Sequence, residues 1–326
     1  MPRISIGVPV RNGEAFLRQT LQSIVAQSYE DFEVLISDNA SSDQTAEICR
    51  EISRGDSRVR YFRQTSVLPP SVNHHFVLQR ASGEYFKWNC HDDLVAPDFL
   101  RECLQALESD RGAVLAYPQF KIIDASGAEL QTYSYPLQTN HPTAHVRFGS
   151  VLRADHRRYT GFEIYGLMRR RALERIPEMG NYVSADRVLL ARLALLGRFI
   201  EVPGYLFFSR EHGRRSVRTL PVGIDPDRKW LRRLIGVGAL PPLEWWDPAK
   251  TGCINFPEWR LIREYIASFR GAGMGFAEQA GCALETLRWF GSDIPKLTRD
   301  LLISLERFIS LRQHGMPPAI PHAKVD

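Results

Sequence analysis

Apolar residues open the chain at period two. Ile4, Ile6, Val8 and Val10 have the spacing of a strand, and Leu17, Leu21, Ile24 and Val25 then share one face at helical period. Asn12, between them, offers a helix cap. The pattern repeats: residues 32–36 form a second strand and Ile48, Cys49 and Ile52 a helix face. Residues 59–62 predict a third strand, 72–81 a helix and 85–89 a fourth strand. A helix is expected over 97–108, then strands over 113–133 about a Ser126-Gly127 turn, and a polar, loop-rich stretch over 138–160. A helix over 183–196 and short strands at 199–202 and 205–208 follow. Strands alternating with helices imply an α/β fold, a mostly parallel sheet flanked by helices. From about residue 221 the character changes to Pro241-Pro242, Trp245-Trp246 and helical patterns at 258–270, 276–290 and 297–311, so 1–220 reads as one domain and 221–326 as a helical C-terminal extension.

In parallel sheets ligands gather at the carboxyl ends of the strands. Every polar cluster of the first half falls at such an end: Arg11 to Glu14 after the first strand, Asp38 and Asn39 after the second, His91-Asp92-Asp93 after the fourth. The last is the most informative, because the aromatic-rich strand Tyr85-Phe86-Lys87-Trp88 runs straight into two adjacent carboxylates. Such a pair can hold a divalent metal against a diphosphate. Neighbours on extended backbone point to opposite sides, so Asp92 and Asp93 are expected to do different jobs.

Composition narrows the field. A chain of 326 residues with 44% hydrophobic content can bury a sizeable core, and a net charge of +5 suits an anionic small molecule or an anionic membrane face equally. No zinc-finger spacing or RNP-like aromatic box is present and the arginines are scattered, which argues against nucleic acid. The longest apolar run, 188–196, is broken by Arg192 and falls short of the roughly 20 residues a bilayer needs. No leader pattern stands at the start, and five scattered cysteines without a CxxC fit a reducing compartment, so a cytoplasmic protein is expected. The basic amphipathic stretch 228–235 suggests peripheral contact with the inner face of a membrane, set against the plainer reading of a solvated helix face.

Taken together, Ser5-Ile6-Gly7-Val8-Pro9-Val10-Arg11-Asn12, the segment from Ser37-Asp38-Asn39 to Asp43, and His91-Asp92-Asp93 resemble the family 2 glycosyltransferases of GT-A fold, most closely over residues 3–110. The resemblance is looser to about 216, where Arg169-Arg170-Arg171, Asp186 and the Arg210-x-His212-x-x-x-Ser216 spacing are similar to later elements of that family. It implies transfer of a sugar from a nucleotide diphosphate sugar to an acceptor hydroxyl with inversion, the donor bound by 1–110 and the acceptor by 111–220. A UDP-sugar is favoured over GDP or dTDP, with Mn²⁺ or Mg²⁺ as the metal. Asp93 is the expected metal ligand, Asp92 turns to the ribose, and Asp38 and Asn39 meet the base or ribose edge. Pro9, Arg11, Asn12 and Glu14 line the donor pocket, Arg11 standing where the family often has tyrosine. An arginine can stack on a base or meet a phosphate, though a surface arginine is the plain alternative. Asp186 is the candidate general base, and a helix cap is the simpler reading of the same position. His212 is a candidate metal ligand or diphosphate contact, with Arg210, Arg214 and Arg215 adding positive charge. A solvated basic loop is its rival.

Other features carry less. His74-His75 on a helix face different ways and lack a second ligand pair, Cys90 has no base beside it in sequence, and the tryptophans at 230, 245, 246, 259 and 289 read as core anchors. A NAD-dependent dehydrogenase would need G-x-G-x-x-G after the first strand, where only Gly13 is present. A nucleotidyltransferase would want a glycine- and lysine-rich loop near the start. A catalytically silent sugar-nucleotide or glycan-binding partner subunit is the rival from another class: it would keep Asp38 and Asp93 without needing a base. The residues name neither the sugar, the acceptor nor the oligomeric state.

Overall fold

The structure, a computed structural model, describes residues 1–155, 158–213, 246–247, 250, 253 and 256–314. Four parallel strands, β1 (Ile4–Val10), β2 (Phe32–Asp38), β3 (Val59–Arg63) and β4 (Tyr85–Trp88), lie in the order β3-β2-β1-β4. The helices between them are α1 (Leu17–Val25), α2 (Thr45–Gly55) and α3 (Pro70–Gln79). Every residue of β1 and β2 is buried, as strands covered on both faces must be, so the alternation in β1 does not mark a wet side. Its polar member Ser5 donates to Glu33 (2.8 Å), a buried carboxylate that also takes the N–H and hydroxyl of Ser82 (2.9 and 2.7 Å). Gly7 lets α3 approach the sheet: a Cβ there would stand 2.5 Å from Val77 Cγ2 and 2.9 Å from Phe86 Cζ.

The second half adds β5 (Leu94–Val95), α4 (Phe99–Ser109), β6 (Ala113–Ile123), β7 (Glu129–Tyr133), α5 (Ala144–Leu152), a 3-10 turn (Phe162–Tyr165), β8 (Leu167–Arg169), α6 (Arg170–Leu173), α7 (Ala185–Leu196) and β9 (Arg198–Arg210). The sheet continues β4-β8-β6-β9-β5, with β7 on the side of β6. Here it is mixed: β8 is antiparallel to both neighbours, β6 and β9 run parallel, and β5 returns antiparallel to β9.

Several expectations change. The stretch 138–160 holds α5, missed because its inward face includes Arg147 beside Phe148, Val151 and Leu152. That guanidinium is buried and serves the carbonyls of Ala194 (2.7 Å), His141 (2.9 Å) and Pro142 (2.7 Å), closing the end of α7. The strands expected at 199–202 and 205–208 are one strand, β9, with Gly204 at φ +99° and register shifts opposite residues 118–120. Asn12 does not cap α1. The helix begins at Leu17, five residues later, and Asn12 takes φ +50° in the preceding turn.

Of the extension, α8 (Pro257–Arg270) and α9 (Phe276–His314) are described. The two helices expected at 276–290 and 297–311 are one, continuing through Pro295. Tyr265 and Phe269 of α8 meet Phe148 of α5 edge-on at 6.1 Å, Trp289 of α9 lies 5.2 Å from Tyr265, and buried Arg192 of α7 pairs with Glu264 (2.9 Å). One apolar core therefore runs from the sheet into these helices. Among the described residues no helix is long and apolar enough to cross a membrane. Arg214, Arg215, Ser216, Trp230, the stretch 228–235, Pro241-Pro242 and Trp245 lie outside the described residues.

Gly7→Ala should lower stability by about 1–3 kcal/mol through overpacking against Val77. Gly55→Ala, with nothing within 4 Å of its would-be Cβ, should not. Urea midpoints of the two variants check this, and equal midpoints would refute the close packing of α3 on β1.

Candidate active site

Two turns at the carboxyl end of the sheet are laced together. The N–H groups of Asn12, Gly13 and Glu14 donate to Ser41 Oγ (2.9 Å), Thr45 Oγ1 (2.8 Å) and Asp43 Oδ2 (3.0 Å). In return Asn12 Oδ1 accepts from Ser42 N–H (3.0 Å) and Glu14 Oε2 from Gln44 N–H (3.1 Å). Asp38 is fully buried, accepting from Ser41 N–H (2.9 Å) and the Tyr61 hydroxyl (2.8 Å). Asn39 exchanges two hydrogen bonds with the backbone of Leu68 (2.9 and 2.7 Å), fixing the stretch before α3. Pro9 is buried between β2 and the turn, and Arg11 is exposed on the rim.

The fourth cluster is held from the far end of the sheet. β5 pairs with β9 through Leu94 and Phe208, which brings the end of β9 onto the His91-Asp92-Asp93 loop. Asp93, only 2% exposed, accepts from the backbone N–H of Arg210 (2.8 Å). The buried Arg210 guanidinium reaches the carbonyls of Asp92 (2.9 Å), Asp124 (3.3 Å) and Ala125 (2.9 Å) and Gln19 Oε1 (3.0 Å), and lies over the Phe16 ring. His212 Nε2 stands 2.9 Å from Asp92 Oδ2, its ring against Phe16. Asp93 thus faces inward and Asp92 faces His212. Ligand atoms of Cys90, Asp92 and Asp93 lie within 4.8 Å of one another, close enough to share one cation. The two carboxylates are hard oxygen donors that suit Mn²⁺ or Mg²⁺, the Cys90 thiol is the third member of the cluster, and His212 reaches it through Asp92.

Beneath this loop lies a residue that the sequence reading passed over. Lys87, on β4, is 1% exposed and donates to Trp88 O (3.1 Å) and Asn89 Oδ1 (2.7 Å). Asn89 Nδ2 in turn donates to Cys90 O (2.8 Å) and Asp93 O (3.4 Å). The ammonium sits 4.6 Å from the Phe99 ring and 5.8 Å from that of Phe207. Burial lowers its pKa to about 7, against the raising fields of Cys103, Cys90 and Asp93. A lone lysine inside an aromatic strand was the available signal.

Asp186 stands in the first turn of α7, behind Ser184 at φ +63°, and accepts from Arg187 N–H (2.8 Å). Asp186 is exposed at the start of the helix, and desolvation by the surrounding protein raises its pKa against the opposing Arg187 N–H and charge. Tyr165, also unforeseen, connects the two halves. It stacks on Phe207 (5.5 Å), hydrogen-bonds Cys90 and feels the charges of both Asp93 and Asp186, and burial and these groups hold its pKa well above that of a free phenol. By contrast Arg169 is structural, serving Ala113 O (2.9 Å), the Tyr85 hydroxyl (3.1 Å) and Leu107 O. His74 is buried against Pro70 O (2.8 Å), and His75 pairs with Glu178.

The fold is that of the GT-A glycosyltransferases. Residues of this chain superpose on S. aureus TarS 1–349 with a TM-score of 0.60 at 15% identity, covering 94% of this chain and 80% of that one. The complex of the same TarS fragment with UDP-GlcNAc gives 0.55 at 15% identity over 95% and 92%. In sequence, the pattern of glycosyl transferase family 2 matches residues 5–176, more than half of the chain, and the protein belongs to that family. Among curated relatives, an uncharacterised glycosyltransferase of Rickettsia typhi is 29% identical over 130 residues, 40% of each chain. A GalNAc(5)-diNAcBac-PP-undecaprenol beta-1,3-glucosyltransferase of Campylobacter jejuni is 32% identical over 106 residues, 32% of this chain and 34% of its own. The matches thus span well under half the length of these relatives.

Lys87→Met should cost about 1–3 kcal/mol by leaving two buried carbonyl oxygens unpaired. Because the folded lysine titrates near 7 and the unfolded one near 10.5, the unfolded chain binds the extra proton in between. Parent stability should therefore rise relative to Lys87→Met from pH 7 to pH 10. Urea midpoints across that range check the sign, and a gap independent of pH would contradict a buried lysine.

Proposed function

We propose that the protein transfers a glycosyl group from a nucleotide diphosphate sugar, UDP-linked in the first instance, to an acceptor hydroxyl with inversion. The observation that carries this reading is that Tyr165 lies within the fields of both Asp93, in the carboxylate-rich loop, and Asp186, a separate carboxylate from the other half of the sheet. Two roles are needed, charge neutralisation at the leaving diphosphate and proton removal from the acceptor, and two chemically different sites stand ready for them. The UDP-GlcNAc complex of TarS, a protein of the same fold, favours a UDP-sugar over GDP or dTDP donors.

Asp92, Asp93 and His212 would hold the Mn²⁺ or Mg²⁺. When bound, the metal supplies Lewis-acid compensation for the diphosphate. In this proposal Asp92, paired with His212, joins Asp93 on the metal instead of turning to the ribose, and Asp93 would bind through the carboxylate that also anchors Arg210. Arg11, exposed on the rim, faces the donor. Asn12 and Glu14 act through the lacing of the two turns, and Pro9, Asp38 and Asn39 shape the base pocket by fixing those turns and the stretch near Leu68. Asp186 takes the acceptor proton as the hydroxyl oxygen attacks the anomeric carbon from the face opposite the diphosphate. Its hydrogen bond to Arg187 N–H, inside the first turn of α7, aims the carboxylate, while the cap position is Ser184. Residues 1–110 form the donor half and 111–220 the acceptor side. The acceptor is a glycan, glycolipid or other hydroxyl presented in the cytoplasm or at the inner membrane face.

Asp186→Asn should retain the thermal shift produced by UDP with Mn²⁺ and lose transfer about 10²–10⁴-fold. Asp92→Asn should lose the metal-dependent part of that shift. Parent-level transfer by Asp186→Asn would remove the base assignment, and transfer undetectable in the parent across UDP-, GDP- and dTDP-sugars would leave a binding subunit.

The raised pKa of Asp186 also sets a pH dependence. A base works deprotonated, so the transfer rate should fall on acidification through a pKa above the ordinary carboxylate value of 3.8. That acidic limb should vanish from the residual rate of Asp186→Asn, and an identical profile in both would contradict the assignment.

A further inference from the structure

The long helix α9 is apolar on two opposite sides. Its inner side, including Cys282, Trp289 and Leu297, is buried against α5 and α8. Its outer side carries Leu284, Leu287, Ile294, Leu301 and Leu305, all exposed, Leu287 to 66% of its full surface. With Gly291 and Thr298 these positions follow one another at spacings of three and four without a break, and exposed Leu302 lies beside them. Among the described residues from 284 to 305, Arg288 is the one charged residue at an exposed position. A surface helix normally presents its polar side to water, and this one presents leucines.

We propose that this face is the interface of a homodimer in which α9 packs antiparallel against α9 of a second copy. The three-and-four spacing is that of a seam between two helices. The sequence of sizes along it selects the direction. Antiparallel pairing about Lys296 sets Leu287 against Leu305 of the second copy, Gly291 against Leu301 and Ile294 against Thr298, so that each small residue receives a large one. Parallel pairing would set Gly291 against Gly291 and Thr298 against Thr298, leaving gaps that close packing does not tolerate. Six exposed aliphatic side chains at roughly 100 Å² each offer on the order of 600 Å², near the ~800 Å² per partner of a standard interface. A symmetric contact is self-complementary by necessity, which this order of residues satisfies. A lipid surface would call for lysine and arginine along the same face. Lys296 and Arg299 are instead only partly exposed and pair with Asp293 and with Glu258 of α8.

Sedimentation equilibrium of the full 326-residue chain tests this. The parent should be a dimer. Leu301→Lys should weaken the dimer at least about 100-fold with an unchanged circular dichroism spectrum, because the residue is exposed. Adding Gly291→Glu, which faces Leu301→Lys across the proposed seam, should restore association. Oxidising a mixture of Leu287→Cys and Leu305→Cys chains should yield the mixed disulfide above either like pair. A monomeric parent, a Leu301→Lys variant as dimeric as the parent, or a predominance of like-with-like disulfides would each overturn the proposal. So would a monomer whose binding to vesicles of anionic phospholipid is lost in Leu301→Lys, since the face would then belong to lipid. None of these readouts depends on sugar transfer, so the proposal and the functional reading can fail separately.

Discussion

The junction between the end of β9 and the His91-Asp92-Asp93 loop decides where the chemistry can sit. Asp93 and Arg210 are 117 positions apart and meet through one backbone N–H, reinforced by the Arg210 guanidinium on the carbonyl of Asp92. A guanidinium has five donors in a rigid fork, and here they converge on carbonyl and amide oxygens from Gln19, Asp92, Asp124 and Ala125. Three segments that share no secondary structure are thereby fixed to one point. Without that fixation the carboxylates would lie on a loop of ordinary freedom, and holding a diphosphate depends on geometry set in advance.

The lacing of the first two turns serves the same end by a cheaper route. Backbone N–H groups following β1 have no sheet partner, and those at the start of α2 have no helical one. Asn12, Glu14, Ser41, Asp43 and Thr45 satisfy both sets across the gap. Each hydrogen bond contributes only about 1 kcal/mol net, but an unmade one in a buried turn would cost more. Polar residues that resemble ligand-binding groups in sequence are, in the fold, mostly the means by which two turns are held at a common rim.

This explains how far the sequence could be read. The positions of strands and helices through residue 133 were legible because burial on both faces imposes apolar runs of characteristic length, as in residues 32–36 and 85–89. That the polar clusters after β1, β2 and β4 gather at one end of the sheet was legible for the same reason, since parallel strands expose their carboxyl ends together. Division of labour within the site was not. Which of Asp92 and Asp93 faces inward depends on the pairing of Leu94 with Phe208, a contact that no local periodicity encodes. Lys87 and Tyr165 were overlooked because their roles depend on what surrounds them. A lysine among aromatics and a tyrosine in a short 3-10 turn carry no motif. α5 was missed because Arg147, which looks solvent-seeking, lies inside closing the end of another helix.

The distribution of charge about the loop bears on the cation proposed there. Lys87 is buried beneath the loop, and burial lowers its pKa to about 7 against the raising field of Asp93. Arg210 directs its guanidinium at uncharged oxygens, so much of its field is already engaged with dipoles. Asp92 and Asp93 set two adjacent carboxylates at the loop, and Asp186 acts on the same Tyr165 from the other half of the sheet. A nucleotide diphosphate would add more negative charge to the same place. Under the proposed function a divalent ion arriving with the diphosphate would change this, because carboxylates that repel the phosphates alone attract the pair. Under the proposed function, donor binding and metal binding would then be a single event.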